Sequence, residues 1–140
     1  MELDLRRLLD IARTGDLSAR AELADTESLP PEIYWILADD NAEEVVWLVA
    51  RNAAAPRELL ELLADRNAHL RFLVALNASA PRALKESAPV AQHTQLSLER
   101  YLDEVGGTHE ERDALMARWM SREIRPLGQV WGEISRSSID

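Results

Sequence analysis

Cysteine is absent from the 140-residue chain, which excludes disulfides, thiolate metal sites and cysteine nucleophiles. Long apolar runs are absent as well. No stretch approaches the roughly 18 uninterrupted apolar residues of a membrane span. The opening MELDLRRLLDIARTGD mixes acids and arginines among its leucines. It lacks the apolar core and small-residue cleavage pattern of a secretory signal, so the expected location is the cytoplasm. The five glycines are isolated or paired and do not assemble a Gly-rich phosphate loop. Lysine occurs once, at Lys85. Positive charge is in deficit everywhere: the formal net charge is -9, with -3 in each of residues 1–27, 28–92 and 93–140. Such an even negative field repels phosphate backbones and anionic membrane surfaces. The length suits one compact unit with a real hydrophobic core and no staples.

Chemistry-bearing patterns are equally scarce. His69, His93 and His109 are scattered, with no second histidine one helical turn away. They read as surface or capping residues, not metal ligands. The acidic pairs Asp39-Asp40, Glu43-Glu44 and Glu110-Glu111 fall at helix starts or turns, where negative charge stabilises the N-terminal end of a helix. No nucleophile motif has a local signature. The chain is therefore not expected to be an enzyme or to carry a metal or cofactor.

What the sequence does contain is a repeat. LVARNAAAP (48–56) and LVALNASAP (73–81) agree at seven of nine positions, 25 residues apart. Leu37-Ala38-Asp39 and Asn41-Ala42 match Leu63-Ala64-Asp65 and Asn67-Ala68 at an offset of 26, with the slip between Ala42 and Val45. Pro56, Leu59 and Glu61 match Pro81, Leu84 and Glu86, and the pattern fades near Pro89. Self-similarity at this period marks a helical repeat array. Each unit begins with a proline at a first helical position, followed by an apolar face (Leu59, Leu60, Leu62, Leu63). Asn41 and Asn67 are placed to cap the next helix, with Glu44 completing a capping box. Asn52 and Asn77 are placed to close it in a left-handed conformation.

These residues resemble the leucine-rich repeat variant family, a short helical repeat of HEAT-like character. Val49, Ala50, Asn52 and Pro56 match its motif, as do Val74, Ala75, Asn77 and Pro81. Leu59, Leu60, Leu63, Ala64 and Asp65 match its middle, and Leu70-Arg71 stands for its Val-Arg. The resemblance covers about residues 24–88. Alanine replaces the motif's proline (Ala53, Ala78) and threonine (Ala55, Ala80). The resemblance implies an all-α fold: a short right-handed α-solenoid of about two and a half 25-residue repeats, with helical caps at both ends. The iron–sulfur domain of some family members is not carried over, because its cysteines are missing.

The flanks supply the caps. Leu5, Leu8, Leu9 and Ala12 share one side of an N-terminal helix (the segment LDLRRLLDIARTGD) closed near Gly15, and Asp16 caps a second helix. Residues 1–92 thus form a cap plus repeats. Residues 93–140 form a helical cap or partner-binding segment, with Gly106-Gly107 as a break and Thr108 and Glu111 as a capping box. Met116, Met120, Ile124, Leu127, Trp131 and Ile134 follow one face, which Pro126 breaks or kinks. The tail SRSSID reads as polar and frayed.

The expected role is non-catalytic protein binding, as an adaptor, regulator or inhibitor. The candidate surface is a solenoid face or the C-terminal Met/Trp helix. Comparison of the units singles out Trp35, in the column of Glu61 and Glu86, and Val46, in the column of Arg71. Either the N-terminal helices cover Trp35, or Trp35 and Tyr34 form an exposed hot spot. Trp47 aligns with Phe72, and both read as core. Met116, Trp119 and Trp131 are the C-terminal candidates, and the alternative is that they cap the last repeat. The partner is expected to be a protein, basic by charge complementarity, with homo-oligomerisation open. The rival reading is a nucleic-acid-binding solenoid using Arg57, Arg71 and Arg82, or an acidic DNA mimic. The nine acids of residues 28–92 oppose the arginine row.

Overall fold

A computed structural model describes residues 4–137. Among them are ten α-helices: α1 Leu5–Thr14, α2 Leu17–Ala24, α3 Pro31–Leu37, α4 Glu43–Arg51, α5 Arg57–Arg66, α6 Ala68–Ala75, α7 Arg82–Glu86, α8 Gln95–Val105, α9 His109–Met120 and α10 Leu127–Ser137. A 3₁₀ turn spans Val90–Gln92. The β-type pairing among the described residues is one isolated antiparallel bridge, Pro89 to Pro126. The all-α expectation therefore holds. The first residues of the N-terminal helix reading (Leu3) and the end of the polar tail (138–140) lie outside the described residues, and Ser135–Ser137 belong to α10. The chain forms two compact units, Met1–Leu73 and Val74–Asp140. The sequence boundary at 92/93 falls inside the second.

In the first unit α2 packs on α1, α3 and α4. Asp16 starts α2 by accepting from the Ala19 N–H at 2.8 Å, as its sequence position implies. Leu8, Leu23, Ile33, Leu37, Val45, Val49, Leu59, Leu60 and Leu63 are buried, each stabilising the fold by about 1.5–3 kcal/mol. Leu62 and Leu5, expected on apolar faces, are exposed. Leu62 lies off the stripe formed by Leu59, Leu60 and Leu63, and Leu5 lies at the open end of α1.

The repeated phrase folds twice into the same turn, though not the expected one. Neither asparagine is left-handed: Asn52 has φ -82° and ψ 117°, and the non-glycine residues with positive φ are Ser28 and Arg122. Each asparagine instead turns the chain with its side chain. Asn52 Oδ1 accepts from the Ala54 N–H at 2.9 Å, and Asn77 Oδ1 from the Ser79 N–H at 2.8 Å. The backbone N–H of Ala55 and of Ala80 then donates to the asparagine carbonyl. Pro56 and Pro81 hold the chain extended and act as caps, so the helices start one residue later, at Arg57 and Arg82. Asn67 caps α6 through the Leu70 N–H. Asn41 does not cap α4, and the box with Glu44 is not formed. Asp40 instead turns the chain ahead of α4, accepting from the Ala42 N–H and from Arg20.

In the second unit Val90, Leu98, Tyr101, Leu102, Leu115, Leu127, Val130, Trp131 and Ile134 make one core. Gly106 closes α8 at φ 68°, a conformation that costs glycine little. The Thr108–Glu111 capping box is formed. A Cβ on Gly128 would lie 3.0 Å from Glu86 Cβ, so glycine permits the close approach of α10 to α7.

Candidate functional site

The apolar stripe of the C-terminal segment does not run as one face. Helix α9 ends at Met120, six residues before Pro126. Arg122 is left-handed at φ 61°. The Glu123 N–H donates to the Arg118 carbonyl and the Arg122 N–H to the Trp119 carbonyl. This pair of bonds closes a helix around a left-handed residue, a place glycine usually holds. Leu127, Trp131 and Ile134 then enter the core, whereas Met120 and Ile124 are 78 % and 79 % exposed.

The loop displaying these two side chains is tied down on both sides. The Ala91 N–H donates to the Glu123 carbonyl at 2.8 Å, the Val90 N–H to the Arg125 carbonyl at 3.1 Å, and the Leu127 N–H to the Ala88 carbonyl at 2.9 Å. Ile124 sits between the two paired carbonyls. The Arg125 guanidinium joins Glu123 at 2.8 Å to Glu133 at 2.7 Å, and Arg118 reaches Glu123 at 3.1 Å. Hydrogen bonds from Arg125 hold the Glu123 carboxyl down at about 2 and lower that of Glu133. Arg122 makes no ion pair among the described residues. A hollow of about 520 Å³ lined by Ala91, Trp119, Met120 and Arg122 adjoins this tip.

Of the C-terminal candidates, Met116 and Trp119 are half-buried against the core. The Trp119 indole N–H donates to the His93 carbonyl at 2.9 Å, and the ring still lines the hollow. Trp131 is buried, edge-on to Tyr101 at 5.9 Å, so it is a core residue and offers no anchor to a partner. Tyr34 is likewise buried, its hydroxyl donating to the Thr26 carbonyl at 2.8 Å, which corrects its reading as an exposed aromatic. Trp35, one position on, is 39 % exposed. Among the arginines, Arg57 and Arg71 are exposed in the first unit. Arg82, in the second, pairs with Glu86, which also accepts from the Tyr101 hydroxyl.

Val46 is buried, yet it borders an open groove of about 610 Å³ in the first unit, beside Trp47, His69 and Leu70. Trp47 is half-buried and meets the His69 ring edge-on at 5.0 Å. Phe72, expected in the core with Trp47, is 42 % exposed.

His93 is buried, contrary to its surface reading. Its Nε2–H donates to the Lys85 carbonyl at 2.9 Å, and its Nδ1 accepts from the Ser97 hydroxyl at 3.0 Å. The ammonium of Lys85, itself buried, donates to the Ser97 carbonyl. A serine–histidine contact of this length resembles a nucleophile and its base. Ser97 is 0 % exposed and His93 2 %, so no substrate reaches the pair, and it serves to satisfy buried polar groups. Burial lowers the His93 pKa, Lys85 charge adds to this, and the bond to the Lys85 carbonyl offsets part of it. Among the described residues no group of three or more histidine, aspartate or glutamate side chains could hold a metal ion, and no helix is long and apolar enough to cross a membrane.

Sequence reasoning missed Met120 and Ile124 as surface residues because their spacing continues a helical stripe. The polar Ser121-Arg122-Glu123 ahead of Pro126 was the signal that the helix stops. Comparison with protein-family models, curated proteins and solved structures finds no match.

Proposed function

We propose that the protein is a non-catalytic protein-binding module, acting as an adaptor, regulator or inhibitor in the cytoplasm, with the 119–125 tip as its contact surface. The observation that carries this reading is the exposure of Met120 and Ile124 on a loop fixed by backbone bonds and by the Glu123–Arg125–Glu133 network. A backbone already held in place loses little further entropy on docking. Left-handed Arg122 adds to it, since strain kept where glycine would fit is characteristic of functional segments. We also take the repeats to form a short solenoid of leucine-rich-variant type, with helical caps, a reading that the shared turn at Asn52 and Asn77 supports.

The test is affinity capture from source-cell extract with the parent chain and with a Met120→Ser/Ile124→Ser variant. Both replaced side chains are exposed, so helicity should be unchanged. The expected result is a protein captured by the parent and lost with the variant. Capture of the same proteins by both would remove the tip from the reading.

A further inference from the structure

The groove of the first unit has a different chemistry from the tip. Its apolar wall is Val46, Trp47 and Leu70, with His69 edge-on to the indole. Two of the three acidic or arginine side chains around it are already engaged. Asp40 is held by Arg20 at 2.7 Å. Arg66 donates to Asp39 at 2.8 Å and to the Ala38 carbonyl at 2.6 Å. Glu43, exposed in the first turn of α4, has no ion-pair partner among the described residues. Once these pairs are accounted for, the groove keeps one uncompensated negative charge next to a half-exposed indole.

We infer that this groove binds an arginine or lysine side chain flanked by apolar residues, presented by a basic segment of a partner protein. A cation beside an indole gains from the ring's negative face, and Glu43 supplies the counter-charge. The flanking apolar residues would cover Val46 and Leu70. The net charge of -9 speeds the approach of such a segment. This site shares no residue with the 119–125 tip and does not depend on it.

The test uses the full chain carrying Met120→Ser/Ile124→Ser, panned against a random dodecapeptide phage library, so that selected peptides report on surfaces other than the tip. Enriched peptides should carry Arg or Lys beside apolar residues. Their affinity should fall at least tenfold with Glu43→Lys and at least threefold with Trp47→Phe. Amide shifts on peptide addition should centre on residues 43–47 and 68–70. Glu43 is exposed, so circular dichroism should confirm that the Glu43→Lys variant remains folded. Acidic or uncharged winners, binding unchanged by Glu43→Lys, shifts elsewhere, or no enrichment would each overturn the inference. None of these outcomes bears on the tip, because the tip is already removed.

Discussion

The tip of the second unit and the groove of the first carry opposite residual charges in a chain whose net charge is strongly negative. At the tip Arg118 and Arg125 are neutralised by Glu123 and Glu133, leaving Arg122. At the groove Asp40 and Arg66 are neutralised by Arg20 and Asp39, leaving Glu43. Net charge therefore governs long-range approach, while local pairing decides what each surface accepts at contact. The units also differ in what they bury. The first spends an amide and a phenol on backbone carbonyls: Asn52 Nδ2 donates to the Ala24 and Thr26 carbonyls, each at 2.9 Å, and Tyr34 joins it on Thr26. The second buries a histidine and a lysine as well, His93 and Lys85.

The sharpest way to break this contrast is to cut beneath the tip and at its surface. Trp131→Ala should cost about 3–5 kcal/mol, whereas Met120→Ser with Ile124→Ser should stay within about 0.5 kcal/mol. Urea unfolding measures both, and similar costs would mean that the exposed residues belong to the core. In the first unit, Asn52→Ala leaves the Ala24 carbonyl without this donor and should cost about 1–3 kcal/mol. Asn41→Ala, which removes no cap, should cost less than about 0.5 kcal/mol. Equal losses would restore the capping role that the sequence implies for Asn41.

Acid should separate the units more gradually. The folded-state pKa of His93 lies below 6.5, so the unfolded chain takes up this proton first. Its stabilising contribution is complete above the unfolded pKa of about 6.5 and declines as pH falls from there toward the folded value. Hydrogen exchange from pH 7 to 5.5 should show the amides near His93 losing protection ahead of those around Asn52. His93→Gln should flatten that dependence, and an unchanged slope would exclude His93 as its source. For Glu123, depressed to about 2, the sign is that of a carboxylate. Its contribution is present above the ordinary carboxylate range and is lost as pH falls toward 2, and Glu123→Gln should remove it. The one change expected to stabilise is Arg122→Gly, which relieves the left-handed strain and should raise stability by about 0.5–1 kcal/mol. A loss of stability there would show that the arginine side chain helps to hold the tip.

Much of the local structure was legible from residue type and spacing. The Thr108–Glu111 box, the Asp16 and Asn67 caps and the Leu59, Leu60, Leu63 stripe need only neighbours within one or two turns, and each formed as read. The candidate sites were less legible, because exposure is not a local property. Trp131 and Ile124 fit the same helical spacing, yet one packs on Tyr101 and the other stands in water. Tyr34 and Trp35 are adjacent and lie on opposite sides of that divide.

By itself, then, the sequence determined an all-helical chain, its punctuation at Asn52-Pro56 and Asn77-Pro81, and its deficit of positive charge, all consequences of backbone preference and composition. Tertiary structure decided which carboxylates find an arginine, which aromatics are covered, and where the C-terminal stripe stops. Those outcomes depend on residues far apart in sequence, such as Ala91 with Glu123 or Arg20 with Asp40, whose meeting no helical period encodes.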